Sequence, residues 1–215
     1  MNASHRLEKL NRAAKKRIKK LRSHVSHFSA PTTTEQDRMI AWVVVETLNL
    51  WAGFLRAYYL SGAIGTRTSL GGRVTYKSVT FANSSAAILH AIRVVKNPLF
   101  SKRDVSRRDE PTWHDKDNFL SLLKKVDASN LPQIYAAFST GVNFFDFLPT
   151  VRNFYAHRCD ETFRKATKVG VKLGLATTPR LRPTEIMCTR LPKRPSNVIT
   201  DWLDDMANVI DLLCS

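Results

Sequence analysis

The sequence predicts an all-α fold, because apolar residues recur at helical intervals in its first and last segments and fill its second. In the first segment, residues 5–27, the apolar positions are Leu7, Leu10, Ala14, Ile18, Leu21 and Val25. In the last, they are Ile199, Trp202, Leu203, Met206, Val209, Ile210 and Leu213. Spacings of three and four residues place such side chains on one face of a helix, which a bundle buries. Residues 35–62 are apolar on nearly all faces, as in a fully buried helix. An up-and-down helical bundle is therefore expected.

The first helix is basic outside its apolar stripe, and residues 1–28 are taken as a separate N-terminal element. These residues contain nine Lys or Arg and one Glu, a net charge of +8. Such a helix is typical of RNA or partner binding, while adsorption to a membrane surface is the rival interpretation. The stripe is thin and has no aromatic residue before Phe28, which favours RNA or packing between subunits.

The second helix, residues 35–62, is expected to be a buried helix of the bundle. Thr34 and Asp37 suggest a cap at its start. Glu46 and Asn49 are conspicuous among its apolar residues, and they form either a polar pair or a support for a nearby site. Polar residues at these positions make the helix an expensive transmembrane span, so no membrane partner is expected.

The middle of the chain predicts a glycine-rich segment and two shorter helices. Residues 62–83 combine glycines with spaced apolar residues, which fits a small hairpin or a loop. A helix is expected over residues 83–96. Another begins at Asp115 or Asp117 and runs through Lys125.

The next part of the chain predicts two helices followed by an irregular arm. The helices cover residues 130–145 and 149–170, and Gly170 and Gly174 end the second of them. Prolines spread among arginines make residues 174–197 a long basic arm, which is either disordered or ordered by RNA or a partner.

The final helix is expected to start at Asn197 or Thr200. Its outer face is acidic, because residues 201–215 hold four Asp and no Lys or Arg. We expect this face beside one of the basic parts of the chain, within the same copy or across a dimer. The helix completes a helical domain that covers residues 35–215.

The charge of the chain is extreme and unevenly distributed. The formal net charge is +16, of which residues 1–28 and residues 164–194 each contribute +8. Residues 29–163 carry only +4. Two concentrated basic blocks point to a polyanion, meaning a nucleic acid or an anionic membrane surface.

The cysteines predict neither a disulfide framework nor a metal site. Cys159, Cys188 and Cys214 show no paired spacing, and no metal or other cofactor is predicted. The N-terminus lacks an apolar core after its charges, so no signal peptide is expected. A reduced, cytoplasmic compartment fits this pattern best.

Seven consecutive residues concentrate the chemistry of the chain. They are Arg152, Asn153, Phe154, Tyr155, Ala156, His157 and Arg158. The guanidinium of Arg152 presents a fork of donors that fits phosphate oxygens. The imidazole of His157 can give or take a proton near neutral pH. Cleavage of RNA by its own 2′-hydroxyl needs a cation at the phosphate and a group that transfers protons, and it needs no metal.

The spacing of Arg152 and His157 does not place them on one face of a regular helix. Residues five apart differ by about 140° around the axis and by about 7.5 Å along it. Either Arg152 lies in the loop or first turn before the helix, which Pro149 favours, or a second copy of the motif completes the site. The two explanations are compatible.

The run resembles the R-N-x-x-x-H signature of the HEPN family, whose members are small helical proteins and most often metal-independent ribonucleases. The resemblance is specific over residues 140–170. It implies a HEPN-like bundle, catalytic roles for Arg152 and His157, and a role for Asn153 in orienting the histidine or contacting the ribose phosphate. The family pairs two copies of the motif across a two-fold dimer, so a homodimer is expected.

The residue after the histidine is often tyrosine in the family, and here it is Arg158. This departure adds a phosphate contact, and Arg164, Lys165 and Lys168 are expected to continue an RNA-binding surface. The resemblance also implies an antitoxin or immunity partner, commonly a nucleotidyltransferase. A non-catalytic RNA-binding or interaction module is the alternative.

The plainer interpretation of the motif is structural. Arg152 would then pair with Asp146 or Asp160, and His157 would be a half-buried histidine with satisfied hydrogen bonds.

Overall fold

The computed structural model describes residues 1–30, 32–101, 105–175 and 181–215. Across these residues the chain forms nine α-helices and one short hairpin, which confirms the all-α prediction. The elements are α1 (Leu7–Val25), α2 (Thr34–Ala63), β1 (Thr66–Arg67), β2 (Arg73–Val74), α3 (Ser84–Val95), α4 (Lys116–Lys125), α5 (Leu131–Phe138), α6 (Phe144–His157), α7 (Asp160–Lys172), α8 (Pro183–Cys188) and α9 (Val198–Cys214). The HEPN-like arrangement stays a prediction.

The chain divides into two compact units. The first consists of Met1–Ala14, Trp51–Gly141 and Val209–Ser215, and the second of Lys15–Leu50 and Val142–Asn208. Helices α1, α2 and α9 contribute residues to both units. The domain boundaries expected from the sequence, 1–28 and 35–215, stay a prediction.

The apolar stripe of α1 is buried along its whole length, as its spacing predicts. Its residues are exposed to solvent by 5% or less: Leu7, Leu10, Ala14, Ile18, Leu21 and Val25. The stripe therefore belongs to the interior of the protein, and the basic residues of α1 occupy its solvent side.

The core of the first unit is largely aromatic and is built on the second half of α2. The rings of Trp51 and Phe138 lie 6.1 Å apart, and those of Tyr59 and Tyr76 lie 5.4 Å apart. The hydroxyl of Tyr76 donates a 2.7 Å hydrogen bond to the main-chain oxygen of Tyr59, so this buried polar group is satisfied. This half of α2 is buried as the sequence predicts.

The glycine-rich segment forms the hairpin and not merely a loop. Thr66 pairs with Val74 and Arg67 with Arg73 in antiparallel register. Gly71 has a φ of 89° at the turn, a conformation that a residue without a Cβ adopts readily.

A partly buried ion pair joins α2 to the segment that leads to α4. Nε and Nη2 of Arg56 donate to the two carboxylate oxygens of Glu110 at 2.6 and 2.9 Å. The indole of Trp113 donates to the same carboxylate at 2.7 Å. Asp115 is the residue that caps α4, since its carboxylate accepts from the main-chain N–H of Asn118 at 3.0 Å.

The predicted helix boundaries around the motif are wrong. Instead of one helix over 130–145 and another over 149–170, the structure has α5, α6 and α7. Gly141 takes a φ of 71° between α5 and α6. Helix α6 ends at His157, and Arg158 then takes a φ of 42°, so the chain turns before α7 begins.

The predicted irregular arm, residues 174–197, contains a helix, so the prediction is wrong for residues 183–188. Helix α8 buries Ile186, Met187 and Cys188, while residues 176–180 of the arm lie outside the described residues. Gly170 does not end α7; it lies within the helix where α7 packs against α8. A Cβ at this position would lie 2.9 Å from Cδ1 of Ile186.

The acidic face of α9 packs beside both basic parts of the chain, in the same copy. Within the second unit, Arg22 approaches Asp204 at 3.2 Å and Arg194 approaches Asp205 at 3.8 Å. Asn197 marks the start of the helix, as predicted, because its side-chain oxygen accepts from a main-chain N–H in the first turn.

Among the described residues, α2 is the one helix whose length and composition would let it cross a membrane. Half of its most apolar stretch is buried within the protein.

Gly62 and Gly53 provide a matched test of the packing around Tyr76. A Cβ on Gly62 would lie 2.5 Å from the Tyr76 hydroxyl and 2.6 Å from its ring, whereas one on Gly53 meets nothing within 4 Å. Because the buried ring cannot give way easily, Gly62→Ala is expected to destabilise the protein by about 1–3 kcal/mol. Gly53→Ala, in the same helix, is expected to stabilise it by about 0.5–1 kcal/mol. Urea unfolding measures both; equal stabilisation by the two changes would contradict the placement of Tyr76.

Candidate functional site

The motif lies in the C-terminal half of α6, on a helix with one buried and one exposed side. Phe144, Phe145, Leu148, Val151 and Tyr155 are buried. Asn153, Ala156 and His157 are exposed, and Arg152 is half-buried at the border. The apolar residues that open the helix therefore fix which motif side chains face solvent.

Arg152 lies inside α6, so its predicted position in the loop or first turn is wrong. The helix starts at Phe144, before Pro149, because the apolar side chains that it buries begin there. Pro149 is accommodated within the helix. The angular separation of Arg152 and His157, about 140° on a regular helix, therefore remains.

Asn153 joins the two candidate catalytic residues into one surface. Nη1 of Arg152 donates to the side-chain oxygen of Asn153 at 3.4 Å, a long hydrogen bond between adjacent residues. Asn153 and His157 are four residues apart, so their Cβ atoms lie about 5–6 Å apart on the same face. Arg152, Asn153 and His157 thus form a contiguous polar surface, hereafter the α6 surface.

A hydrogen-bonded network fixes the turn that follows the α6 surface. Nη1 of Arg158 donates to Oδ2 of Asp37 at 3.0 Å, and the hydroxyl of Thr184 donates to the other carboxylate oxygen. The hydroxyls of Thr184 and Tyr155 are hydrogen-bonded at 2.8 Å. The guanidinium of Arg158 also lies 5.6 Å from the centre of the Tyr155 ring. One carboxylate of α2 therefore ties the end of α6 to α8.

Tyr155 acts in this network as a neutral hydroxyl. Burial raises the pKa of its phenol well above the usual range, and the hydrogen bond with Thr184 only partly opposes this. The group is therefore a structural partner at neutral pH and not a proton acceptor.

Sequence reasoning did not find the roles of Asp37 and Thr184 in this network. The sequence suggests Asp37 as part of a helix cap, and it places Thr184 within the predicted irregular arm. The two residues are 147 positions apart, so no local pattern could join them.

The predicted RNA-binding residues are in three different situations. Arg158 is held by Asp37, as described above. On α7, Lys165 pairs with Glu161 at 2.5 Å and Nε of Arg164 donates to a main-chain oxygen at 3.3 Å. Lys168 is exposed and has no hydrogen-bond or ion-pair partner in the described part of the chain.

The pairing of Arg152 with Asp146 or Asp160 is not seen among the described residues. Glu46 forms an exposed polar group with Arg17 and Asn49, each at 3.3 Å. In the described ranges, no hydrogen bond links Glu46 to the α6 surface.

The three cysteines differ in their surroundings. Burial raises the pKa of the Cys188 thiol to about 12 and that of the Cys214 thiol to about 12. Cys159 is exposed at the start of α7, and a hydrogen bond from Thr162 lowers the pKa of its thiol. No three His, Cys, Asp or Glu side chains within residues 1–30, 32–101, 105–175 and 181–215 are grouped as a metal ion would require.

No family model, curated protein or solved structure matches the chain.

The network around Asp37 predicts that Thr184→Val destabilises the protein. The change keeps the shape of the side chain but leaves two polar partners, Tyr155 and Asp37, without its hydroxyl, which is expected to cost about 1–3 kcal/mol. Thr167→Val is the matched control, because the Thr167 hydroxyl donates only to a main-chain oxygen of its own helix, at 2.9 Å. Urea unfolding of both variants measures the difference. Equal stability of the two would show that the network does not hold the turn.

Proposed function

We propose that the protein is a metal-independent endoribonuclease of toxin–antitoxin or antiviral-defence type, as its resemblance to the HEPN family implies. The α6 surface is the observation that supports the proposal, since it presents Arg152, Asn153 and His157 together to solvent. The reaction is attack of the ribose 2′-hydroxyl on the adjacent phosphorus. It forms a 2′,3′-cyclic phosphate and releases the 5′-oxygen as a hydroxyl.

Each residue of the α6 surface has a role in this reaction. Arg152 binds the phosphate and offsets the negative charge that grows on its oxygens in the transition state. His157 moves a proton, either from the 2′-hydroxyl or to the leaving 5′-oxygen. Asn153 positions these groups through its contact with Arg152 and its place beside His157.

A homodimer with a composite site is part of the proposal. A second copy of the motif across a two-fold axis completes the site, so that Arg152 of one copy binds the phosphate beside His157 of the other. The separation of Arg152 and His157 by about 140° around α6 fits a site that draws on two copies.

RNA is held by phosphate contacts on the basic surfaces of α7 and α1. The exposed face of α7 carries Arg164, Lys165 and Lys168, and the solvent side of α1 carries further cations. Because phosphate contacts release counterions, binding is expected to weaken steeply as salt rises. The protein would work in the cytoplasm beside an antitoxin or immunity partner.

A non-catalytic RNA-binding or interaction module is the second candidate function, and one observation favours it. In the described residues, His157 has no hydrogen-bond partner that would fix its orientation or tautomer. A catalytic histidine is usually oriented by such a partner. Burial of the apolar stripe of α1 within the protein speaks against the membrane-surface interpretation.

The cleavage reaction is tested with purified protein and total RNA in the presence of EDTA. Wild-type protein is expected to yield fragments with 2′,3′-cyclic phosphate and 5′-hydroxyl ends, because the nucleophile belongs to the RNA. His157→Ala and Arg152→Ala are expected to reduce cleavage by about 100-fold or more, the usual effect of losing such a group. Lys168→Ala is the control, since it removes one exposed cation and no proposed catalytic group.

Cleavage that disappears in EDTA would point to a metal-dependent reaction. Salt-sensitive RNA binding without cleavage, unchanged in the His157 variant, would favour the binding module.

The composite site is tested by mixing two inactive variants. If the site takes Arg152 from one copy and His157 from the other, subunit exchange between the Arg152→Ala and His157→Ala proteins creates one intact site in each mixed dimer. Cleavage is then expected to return in the mixture and to be absent from either variant alone. A mixture that stays inactive, with exchange verified by differently tagged copies, would overturn this division of the site between two copies.

A further inference from the structure

Trp42 differs from the other tryptophans of the chain in its exposure. Trp51, Trp113 and Trp202 are 5% exposed or less, whereas Trp42 is 44% exposed on α2. A side chain this exposed contributes little to the core. Its neighbours therefore bear on its function.

The exposed ring is held in place by a second aromatic side chain. The imidazole of His24, on α1, meets Trp42 edge to face with ring centres 5.3 Å apart and planes at 87°. This contact limits the motion of the indole and leaves nearly half of the side chain open to solvent. An oriented, open ring loses little entropy when a flat ligand stacks on it.

Exposed cations lie near the pair of rings in the sequence of both helices. Arg38 is exposed one turn before Trp42 on α2, and Lys20 is exposed one turn before His24 on α1. Lys16 extends the same face of α1 one turn before Lys20, and Lys19 lies beside Lys16 on the helix surface.

These lysines are available to a ligand. Among the residues that the structure describes, Lys16, Lys19 and Lys20 have no side-chain ion pair. In contrast, Arg17 pairs with Glu46 at 3.3 Å and Arg22 with Asp204 at 3.2 Å.

The negative charges near the ring are few. Glu46 is one turn after Trp42 on α2, and its charge is met by Arg17. Glu35 is two turns before Trp42 and is exposed. The surface around the indole is therefore positive on balance, which suits an anionic ligand.

We infer that Trp42, His24, Arg38 and Lys20 form a stacking platform for single-stranded nucleic acid, with Lys16 and Lys19 binding the phosphates that follow. Stacking of a base on an exposed aromatic ring is worth about 1–3 kcal/mol and tolerates any base, because every base has a π face. The bases of a duplex are stacked on each other and are not open to the indole. The platform therefore selects single strands.

A lipid surface fits this region less well. Arg38 and Glu46 flank Trp42 by one turn on α2, and the apolar stripe of α1 is buried, so α1 offers a bilayer no apolar face beside the indole. The inference goes beyond the proposed cleavage and does not depend on it, since the platform is on α1 and α2 and not on the α6 surface.

The test uses the full-length protein and a single-stranded oligodeoxynucleotide. This probe lacks the 2′-hydroxyl, so the proposed cleavage cannot act on it, and binding is measured separately from catalysis. Because the other three tryptophans are buried, quenching of tryptophan fluorescence by the probe reports on Trp42. Quenching is expected for the single strand and not for a hairpin duplex of the same length and charge.

Variants separate the ring from the charges. Trp42→Ala is expected to weaken binding, measured by fluorescence anisotropy of a labelled probe, by about tenfold, which corresponds to the stacking of one base. Trp42→Phe keeps a ring, so it is expected to retain most of the affinity while losing the quenching. Tyr135→Ala is the matched control, because Tyr135 is also 44% exposed but lies in the first unit. Replacing Lys16, Lys19 and Lys20 by Gln is expected to lower the salt dependence of binding.

Two results would overturn the inference. One is unchanged affinity of Trp42→Ala for the single strand, with the fold verified by circular dichroism. The other is quenching by vesicles of anionic phospholipid without quenching by the oligonucleotide, which would assign the surface to a membrane. Loss of cleavage in His157→Ala with binding retained leaves the platform standing, so the two proposals fail independently.

Discussion

The carboxylate of Asp37 is the group on which the geometry of the motif depends. It accepts from Arg158 on one oxygen and from Thr184 on the other, and Thr184 in turn meets the buried hydroxyl of Tyr155. Arg158 holds a left-handed backbone conformation, which costs a residue with a Cβ about 1–2 kcal/mol. Its ion pair and its contact with the Tyr155 ring offset that cost. One carboxylate on α2 thus supports the turn between α6 and α7.

The charge of the second unit is divided between structure and solvent. Arginines form several of the carboxylate pairs that hold its segments together, and these arginines are Arg17, Arg22, Arg158 and Arg194. The planar fork of a guanidinium suits such partly buried pairs, while an ammonium group is hydrated more strongly. Lys16, Lys19, Lys20 and Lys168 are exposed without such partners among the described residues. A polyanion that binds these lysines need not disturb the carboxylate pairs of the four arginines.

The sequence predicts the long helices well, because their apolar repeats are strong. The first helix is found at Leu7–Val25 and the second at Thr34–Ala63, close to the expected limits. The turn at Arg158 was missed because it contains neither glycine nor proline, the residues that usually mark one. Helix α8 was missed for the opposite reason, since Pro183 occupies its first turn, where proline is tolerated.

The candidate site was predictable only in part. The composition of the motif identifies Arg152, Asn153 and His157, but the exposure of each side chain depends on which residues α6 buries. The contacts that hold the motif join residues more than 100 positions apart, which no local pattern reveals. The HEPN resemblance concerns the motif itself and stays a prediction.

The three thiols differ enough in their surroundings for a reagent to modify one of them selectively. Alkylating reagents attack the thiolate, which is disfavoured in the two buried cysteines and favoured in the exposed one. A thiol-reactive fluorophore, spin label or crosslinker added to the unaltered protein would therefore attach to Cys159. That position is two residues from His157, at the turn which Asp37 holds. The wild-type chain already carries a single attachment point for spectroscopy beside its candidate site.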